Sequence, residues 1–297
     1  MFNLHANAMK FPELTYAADD DPAFKRWVIQ SIERLAGRDY FVPLYEIWRR
    51  DYVAQNKPIM RPVLELIRVE LGIQSGQWPP RVDPASPVVI VSNHPYGILD
   101  GFAALSLAED LGRPFRVLLH KDLTKVPEIR PYSLPIDFAE TREARAMNIA
   151  TRKQALELLG TGHTIVVFPA GGVATSPTTF GRAVDLPWKT FTGRMIQASK
   201  AQVLPLYFEG QCSPFFHWTS KFSATVRLSL MIREFRNRVG KPLSVHIGDV
   251  IPYSDLQSAG DRRALIDFLF DRVHSMADIP IPATRARMAE LPKWLQV

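Results

Sequence analysis

The run VSNHPYGILDG, residues 91–101, sets a histidine at the end of an apolar stretch and an aspartate six positions further on. Imidazole, with an unperturbed pKa of about 6.5, suits general-base work near neutrality if a partner fixes which ring nitrogen carries the proton. Asp100 is the candidate partner for His94. On a continuous helix a separation of six turns two side chains to different faces, so the pair meets only if Pro95, Tyr96 and Gly97 make a turn. The plainer alternative is that Asp100 caps the helix written in GFAALSLAEDLG and that His94 is a satisfied loop residue.

Three other places carry candidate chemistry. Cys212 in EGQCSP follows an apolar run and raises the possibility of a thioesterase or transferase nucleophile. Pro214 argues against a helix starting directly behind it, and so against activation of the thiol by a helix dipole. His120 in LLHKD stands at another strand end, with no aspartate expected in a turn beside it, and reads as structural. Pro169-Ala170-Gly171-Gly172 after HTIVVF is a turn whose backbone N–H groups can hold a phosphate or an oxyanion; the alternative is a tight turn and nothing more. The seven histidines are scattered, with no two at ligand spacing on a helix face, so no metal is expected.

These residues need elements to position them. From Asp21 to about Gly72 the segments FKRWVIQSIERLAG, YEIWRRDYVAQ and PVLELIRVELG place apolar residues three and four apart, which predicts two or three amphipathic helices. QSGQWPPRVDPASP reads as a linker, giving a boundary near residue 85: a helical segment and linker over 1–85, and an α/β domain over 86–297. Beyond it, short apolar runs (PVVIVSN, FRVLLH, HTIVVF, QVLPLYFEG, PLSVHIG) alternate with longer helical patterns. That alternation predicts an α/β fold, a largely parallel sheet flanked by helices, with sites in loops at the carboxyl ends of strands. His94, the PAGG turn and Gly210 all fall at such ends.

Composition narrows the partners. Of 297 residues 46% are hydrophobic and 22% charged, which fits a globular chain, and one cysteine excludes an intramolecular disulfide and points to a reducing compartment. The opening MFNLHANAMKFPELTYAADDD lacks the basic patch and apolar stretch of a secretory signal, so export is not expected. No run approaches the roughly 18 apolar residues of a membrane span. A net charge of +6 favours an anionic partner, but without zinc-finger spacing or an RNP-like aromatic run nucleic acid is not expected.

NHPYGILDG, the turn FPAGGVATSP after a buried strand, and VLPLYFEG, in that order, resemble the glycerolipid/lysophospholipid acyltransferase superfamily, in particular its bacterial hemolysin-like, ornithine-lipid-like branch. The resemblance spans roughly residues 85–255. It implies transfer of an acyl group from a thioester, acyl-CoA or acyl carrier protein, to a hydroxyl, in some relatives an amine, of a lipid precursor. His94 is then the general base and Asp100 its orienting partner. The acceptor's own hydroxyl is the nucleophile, so neither a covalent acyl-enzyme nor a GxSxG elbow is required. Asn93, Gly97, Phe168, Pro169, Gly171 and Gly172 are the substrate-binding positions it implies.

Two departures from the superfamily pattern stand out: five residues rather than four separate His94 from Asp100, and Ala170 replaces the glutamate of Phe-Pro-Glu-Gly. The second weakens the case for a plain glycerol-phosphate acceptor. LPIDFAETREAR occupies the place of the superfamily's arginine-bearing motif, which makes Arg142 the first and Arg145 the second candidate for an anionic head group. Lys189 and Arg194 are further candidates, and any of these can instead be a solvated surface residue.

The expectation is an O-acyltransferase with no cofactor beyond the acyl donor as co-substrate. Its partners would be that donor and a lipid acceptor at a membrane surface, and its place cytoplasmic and peripheral on the inner face. Trp27, Trp48, Arg49 and Arg50 on the N-terminal helices either meet that surface or pack on the core. The rival of another class is a non-catalytic lipid-binding or scaffold protein, against which the retention of His94 and Asp100 argues.

Overall fold

The computed structural model describes residues 11–15, 22–35, 37–222 and 224–295; most of the opening segment weighed above for a signal lies outside them. Its centre is built from the most apolar runs. Strands β2 (Val88–Ser92) and β5 (Thr164–Val167) are buried at every residue, as a parallel strand covered on both faces must be. With β1 (Leu71–Ser75), β3 (Phe115–His120), β4 (Ser133–Ile136), β6 (Gln202–Phe208) and β7 (Leu243–Ile247) they form a seven-stranded sheet in the order β1-β7-β6-β2-β5-β3-β4. Every ladder is parallel except β6 with β7. The sheet is thus largely parallel, as expected.

Alternate residues of β2 feed two cores. Val88 and Ile90 join Leu64, Leu99 and Ala103 on one face; Val89 and Val91 join Leu159, Met195 and Leu269 on the other. The first face is covered by α2 (Arg38–Asp51), α3 (Met60–Leu66) and α4 (Ile98–Asp110), and α1 (Ala23–Leu35) packs outside them against α2. The second is covered by α5 (Arg142–Gly160), α6 (Phe191–Ser199) and a helix near the end of the chain, Arg262–His274. Between β6 and β7 lie three short helices, α7 (Pro214–Thr219), α8 (Ala224–Ser229) and α9 (Met231–Asn237). After β7 come α10 (Tyr253–Leu256), α11, the Arg262–His274 helix, and α12 (Ile281–Ala289).

One expectation about the elements needs correction. The helix expected through Gly72 stops at Leu66; Arg68 turns the chain at a φ of 55°, and the remainder becomes β1, paired with β7. The sheet therefore reaches across the boundary expected near residue 85. Of the two outcomes open to Trp48, packing on the core holds: it is buried, its indole N–H donating to the Ile59 carbonyl at 2.7 Å, and Arg49 beside it pairs with Glu128 at 2.7 Å. Trp48 is thus held inside the fold, whereas Arg49 stays exposed. Among the described residues no helix is long and apolar enough to cross one.

Candidate active site

Three adjacent central strands, β5, β2 and β6, end side by side, and the loops that follow them make the site. Asn93 is the first residue past β2. Its buried amide spans to β6, donating to the Phe208 carbonyl at 2.8 Å and accepting the Phe208 N–H at 2.7 Å. The His94 N–H donates to Asp185 at 3.1 Å and the His94 carbonyl accepts the Ala174 N–H at 2.7 Å. The Pro95 carbonyl accepts the Cys212 thiol at 3.4 Å. Consecutive residues of the loop are thus tied to three different segments, which leaves little freedom for His94 to wander.

Gly97 then reverses the chain. Its φ of 82° suits glycine, and an added Cβ would lie 2.9 Å from Val173 and 3.0 Å from Met231. This turn absorbs the fifth residue between histidine and aspartate and starts α4 at Ile98. Asp100 falls in the first turn of α4, where a helix N-terminus favours negative charge, fully buried and with no capping bond. Its Oδ2 lies 2.9 Å from His94 Nδ1. The imidazole Nδ1–H therefore donates to the carboxylate, and Nε2 is left as the acceptor of the ring. The ring stacks on Phe168, with centroids 4.1 Å apart and planes at 26°.

Phe168 opens the turn after β5. Its carbonyl accepts the Gly171 N–H at 2.9 Å, with Pro169 at the position where its fixed φ suits such a turn. The Pro169 carbonyl accepts the Lys189 N–H at 2.9 Å. Gly172 backs onto Leu186 and Gly171 faces the Phe138 ring. Among the described residues no acceptor takes the N–H groups of Gly172 and Val173. Ala170 is buried with Val184, Leu186 and Trp188, so a glutamate here would put its carboxylate into an apolar core, where an unpaired charge is costly. The position cannot serve this chain as an acceptor ligand.

A family model described as acyltransferase matches residues 66–278. The chain belongs to that acyltransferase family. The match takes in β1, ahead of the residue 85 from which the motifs alone suggested likeness. Two relatives are named lyso-glycine lipid O-acyltransferase. The one from Phocaeicola vulgatus is 27% identical over 197 residues, which is 63% of this chain and 67% of the relative. The one from Bacteroides thetaiotaomicron is 29% identical over 206 residues, 63% of this chain and 68% of the relative. The structure of the 1-acyl-sn-glycerophosphate (LPA) acyltransferase PlsC from Thermotoga maritima aligns over 86% of this chain and 82% of its own at 13% identity and a TM-score of 0.45; the architecture of the present chain stands on its own strand order.

The acyltransferase keeps its candidate cations at the rim. Arg142 and Arg145 lie exposed in the first turn of α5, which Thr141 caps by accepting the Ala144 N–H at 3.1 Å. Four residues before Arg142 stands Phe138, whose ring touches Gly171, so the start of α5 adjoins the turn. Lys189 is half-buried, and burial lowers its pKa; Arg194 is exposed on α6.

Cys212 and His120 need a new account. A helix does begin at Pro214, with Ser213 as its cap, because proline is tolerated at a first helical position. What disarms Cys212 is burial, which raises its pKa well above the ordinary value. His120 does have an aspartate beside it: Asp122 Oδ2 lies 3.5 Å from Nδ1, and the Asp122 N–H donates to that nitrogen at 3.2 Å. Burial lowers the His120 pKa, and its ring stacks on Phe138. It stands on the wall of the site, with Nδ1 committed to the loop.

Asp185 was not visible as a site residue in the sequence. It is buried, accepting from His94 N–H through Oδ1 and from Trp188 Nε1 at 2.9 Å through Oδ2. His274 Nε2 lies 3.7 Å from the same Oδ2, while His274 Nδ1 donates to the Phe270 carbonyl at 2.9 Å. Burial raises the Asp185 pKa and lowers that of His274, since it disfavours the charged form of each. The spacing Asp185-x-x-Trp188 offered a signal, but only the fold places it behind His94.

Proposed function

We propose that the acyltransferase moves a fatty acyl group from a thioester, acyl-CoA or acyl carrier protein, to the hydroxyl of a single-chain lipid acceptor at the cytoplasmic face of a membrane. The observation that carries this reading is the 2.9 Å contact of His94 Nδ1 with the buried Asp100, the ring stacked on Phe168. His94 Nε2 takes the acceptor's hydroxyl proton as its oxygen attacks the thioester carbonyl. The N–H groups of Gly172 and Val173 receive the oxyanion of the tetrahedral intermediate. The carbon–sulfur bond then breaks, and the proton on His94 passes to the leaving thiolate. Asp100 holds the ring's tautomer and stabilises the transient imidazolium. Arg142 takes an anionic group of the acceptor. The two relatives' names suggest a lyso-glycine lipid or a lipid of that kind as acceptor.

The test is transfer from an acyl thioester to a lysolipid by the purified chain, followed by mass spectrometry of the ester. His94→Ala is expected to fold, by circular dichroism, and to lose about two to four orders of magnitude in kcat/KM. Undiminished turnover by the folded variant would remove His94 from the mechanism. A wild-type chain that binds lipid and forms no ester would be the scaffold instead.

A further inference from the structure

The basic excess of the chain is not spread evenly. Residues 23–35 and 213–241 hold nine of its 36 Lys and Arg but two of its 30 acids, a net +7 where the whole chain carries +6. Both acids are buried, Glu33 accepting from Thr15 at 2.6 Å and Glu234 taking the N–H and hydroxyl of Ser213; of the cations Arg227 is buried too, donating to the Val173 carbonyl. These two segments are neighbours, since α1 and α7 both pack against α8. They also carry five exposed aromatic rings, Phe24 (75%), Trp27 (63%), Phe215 (45%), Trp218 (49%) and Phe222 (71%). The rings contact each other rather than a core: Phe24 stacks on Trp27, Phe215 on Trp218, and Trp218 meets Phe222 edge-on. The Arg233 guanidinium lies 4.8 Å from the Phe215 ring.

We infer that this face, α1 with α7–α9, is the surface by which the enzyme docks on an anionic lipid bilayer. Apolar rings left in water cost free energy unless a partner covers them. Rings set beside lysine and arginine, with the acids withdrawn inside, match the headgroup level of a bilayer, where an aromatic side chain keeps one part apolar and one part wet and exposed cations meet lipid phosphate. The face is also joined to the site. The helix α7 follows the Cys212 tether to Pro95, and its His217 accepts the Ser176 N–H just beyond the turn after β5. The inference rests on the reading that the acceptor is a lipid: a chain docked here would take its acceptor from the layer it sits on.

The experiment is sedimentation of the full chain with vesicles of phosphatidylglycerol mixed into phosphatidylcholine, beside vesicles of phosphatidylcholine alone. Wild type is expected to sediment with the first, less so as salt rises, and weakly with the second. Trp218→Ala with Phe222→Ala, and separately Phe24→Ala with Trp27→Ala, are each expected to lower partitioning about tenfold or more. Turnover of a detergent-dispersed acceptor should stay unchanged and so report intact folding. Wild type that sediments with neither vesicle, or double variants that sediment like wild type, would overturn the inference. So would variants that keep vesicle binding and lose binding to an acidic acyl carrier protein, which would make the carrier the occupant. Sedimentation as expected without any thioester turnover would leave the docking face standing and sink the proposed function.

Discussion

The loop that holds His94 and the helix start that holds Arg142 lie at the same end of the sheet and are built in opposite ways. In the loop, Asn93, His94 and Pro95 are each bonded to a different segment, and Asp100 and Asp185 are both buried. At the start of α5, Arg142 and Arg145 stand exposed, and only Thr141 caps the helix behind them. Proton transfer tolerates errors of a fraction of an ångström, which demands a clamped base. A long cation meeting a charged head group through solvent needs only reach. The contrast suggests that the reaction is fixed by the core while acceptor choice is adjustable at the rim.

The comparison breaks most readily at Asp185. Asp185→Ala leaves the His94 and Trp188 N–H groups unpaired in the interior and frees the His94 backbone, so kcat should fall about a hundredfold with KM nearly unchanged. Asp185→Asn, which keeps an oxygen for the His94 N–H, should recover most of that loss. If steady-state kinetics show only a lower Tm and an intact kcat, Asp185 supports the fold and does not position the base. At the rim, Arg142→Ala should raise KM for an anionic acceptor about tenfold and leave a neutral one alone, since an exposed charge-assisted contact is worth roughly 1–2 kcal/mol. Acceptors of both kinds unaffected would pass the role to Arg145, Lys189 or Arg194, tried in turn. The smallest effect is expected at Cys212→Ala, which removes a weak thiol donor from Pro95 and should change kcat less than about threefold. Acyl attached to Cys212, seen by mass spectrometry of the intact chain, would reverse that assignment.

Much of the scaffold was legible because its signals are local. The apolar runs PVVIVSN, HTIVVF and QVLPLYF announce buried strands by composition, and Pro95, Gly97 and the PAGG tetrapeptide announce turns by the backbone angles they permit. The edge of the sheet was not legible: residues 71–75 continue a helical period, and pairing with β7, far along the chain, overrides it. The place of Trp48 was not legible for a similar reason, since an amphipathic stripe shows that a helix has an apolar face but not what that face meets.

Residue types and their order are therefore enough to establish the chemical groups and the turns that deliver them: a histidine and an aspartate separated by a glycine turn, a glycine-rich bend after a strand, and arginines opening a helix. It takes the folded chain to bring His94 and Asp100 within 2.9 Å, to turn Ala170 to a core, to seal Cys212 away, and to set Asp185 behind the histidine 91 residues earlier in the chain. Side-chain type and backbone angle are properties of a residue and its neighbours. Burial, and with it the cost or usefulness of a charge, is a property of what packs around the residue, and those partners come from distant parts of the chain.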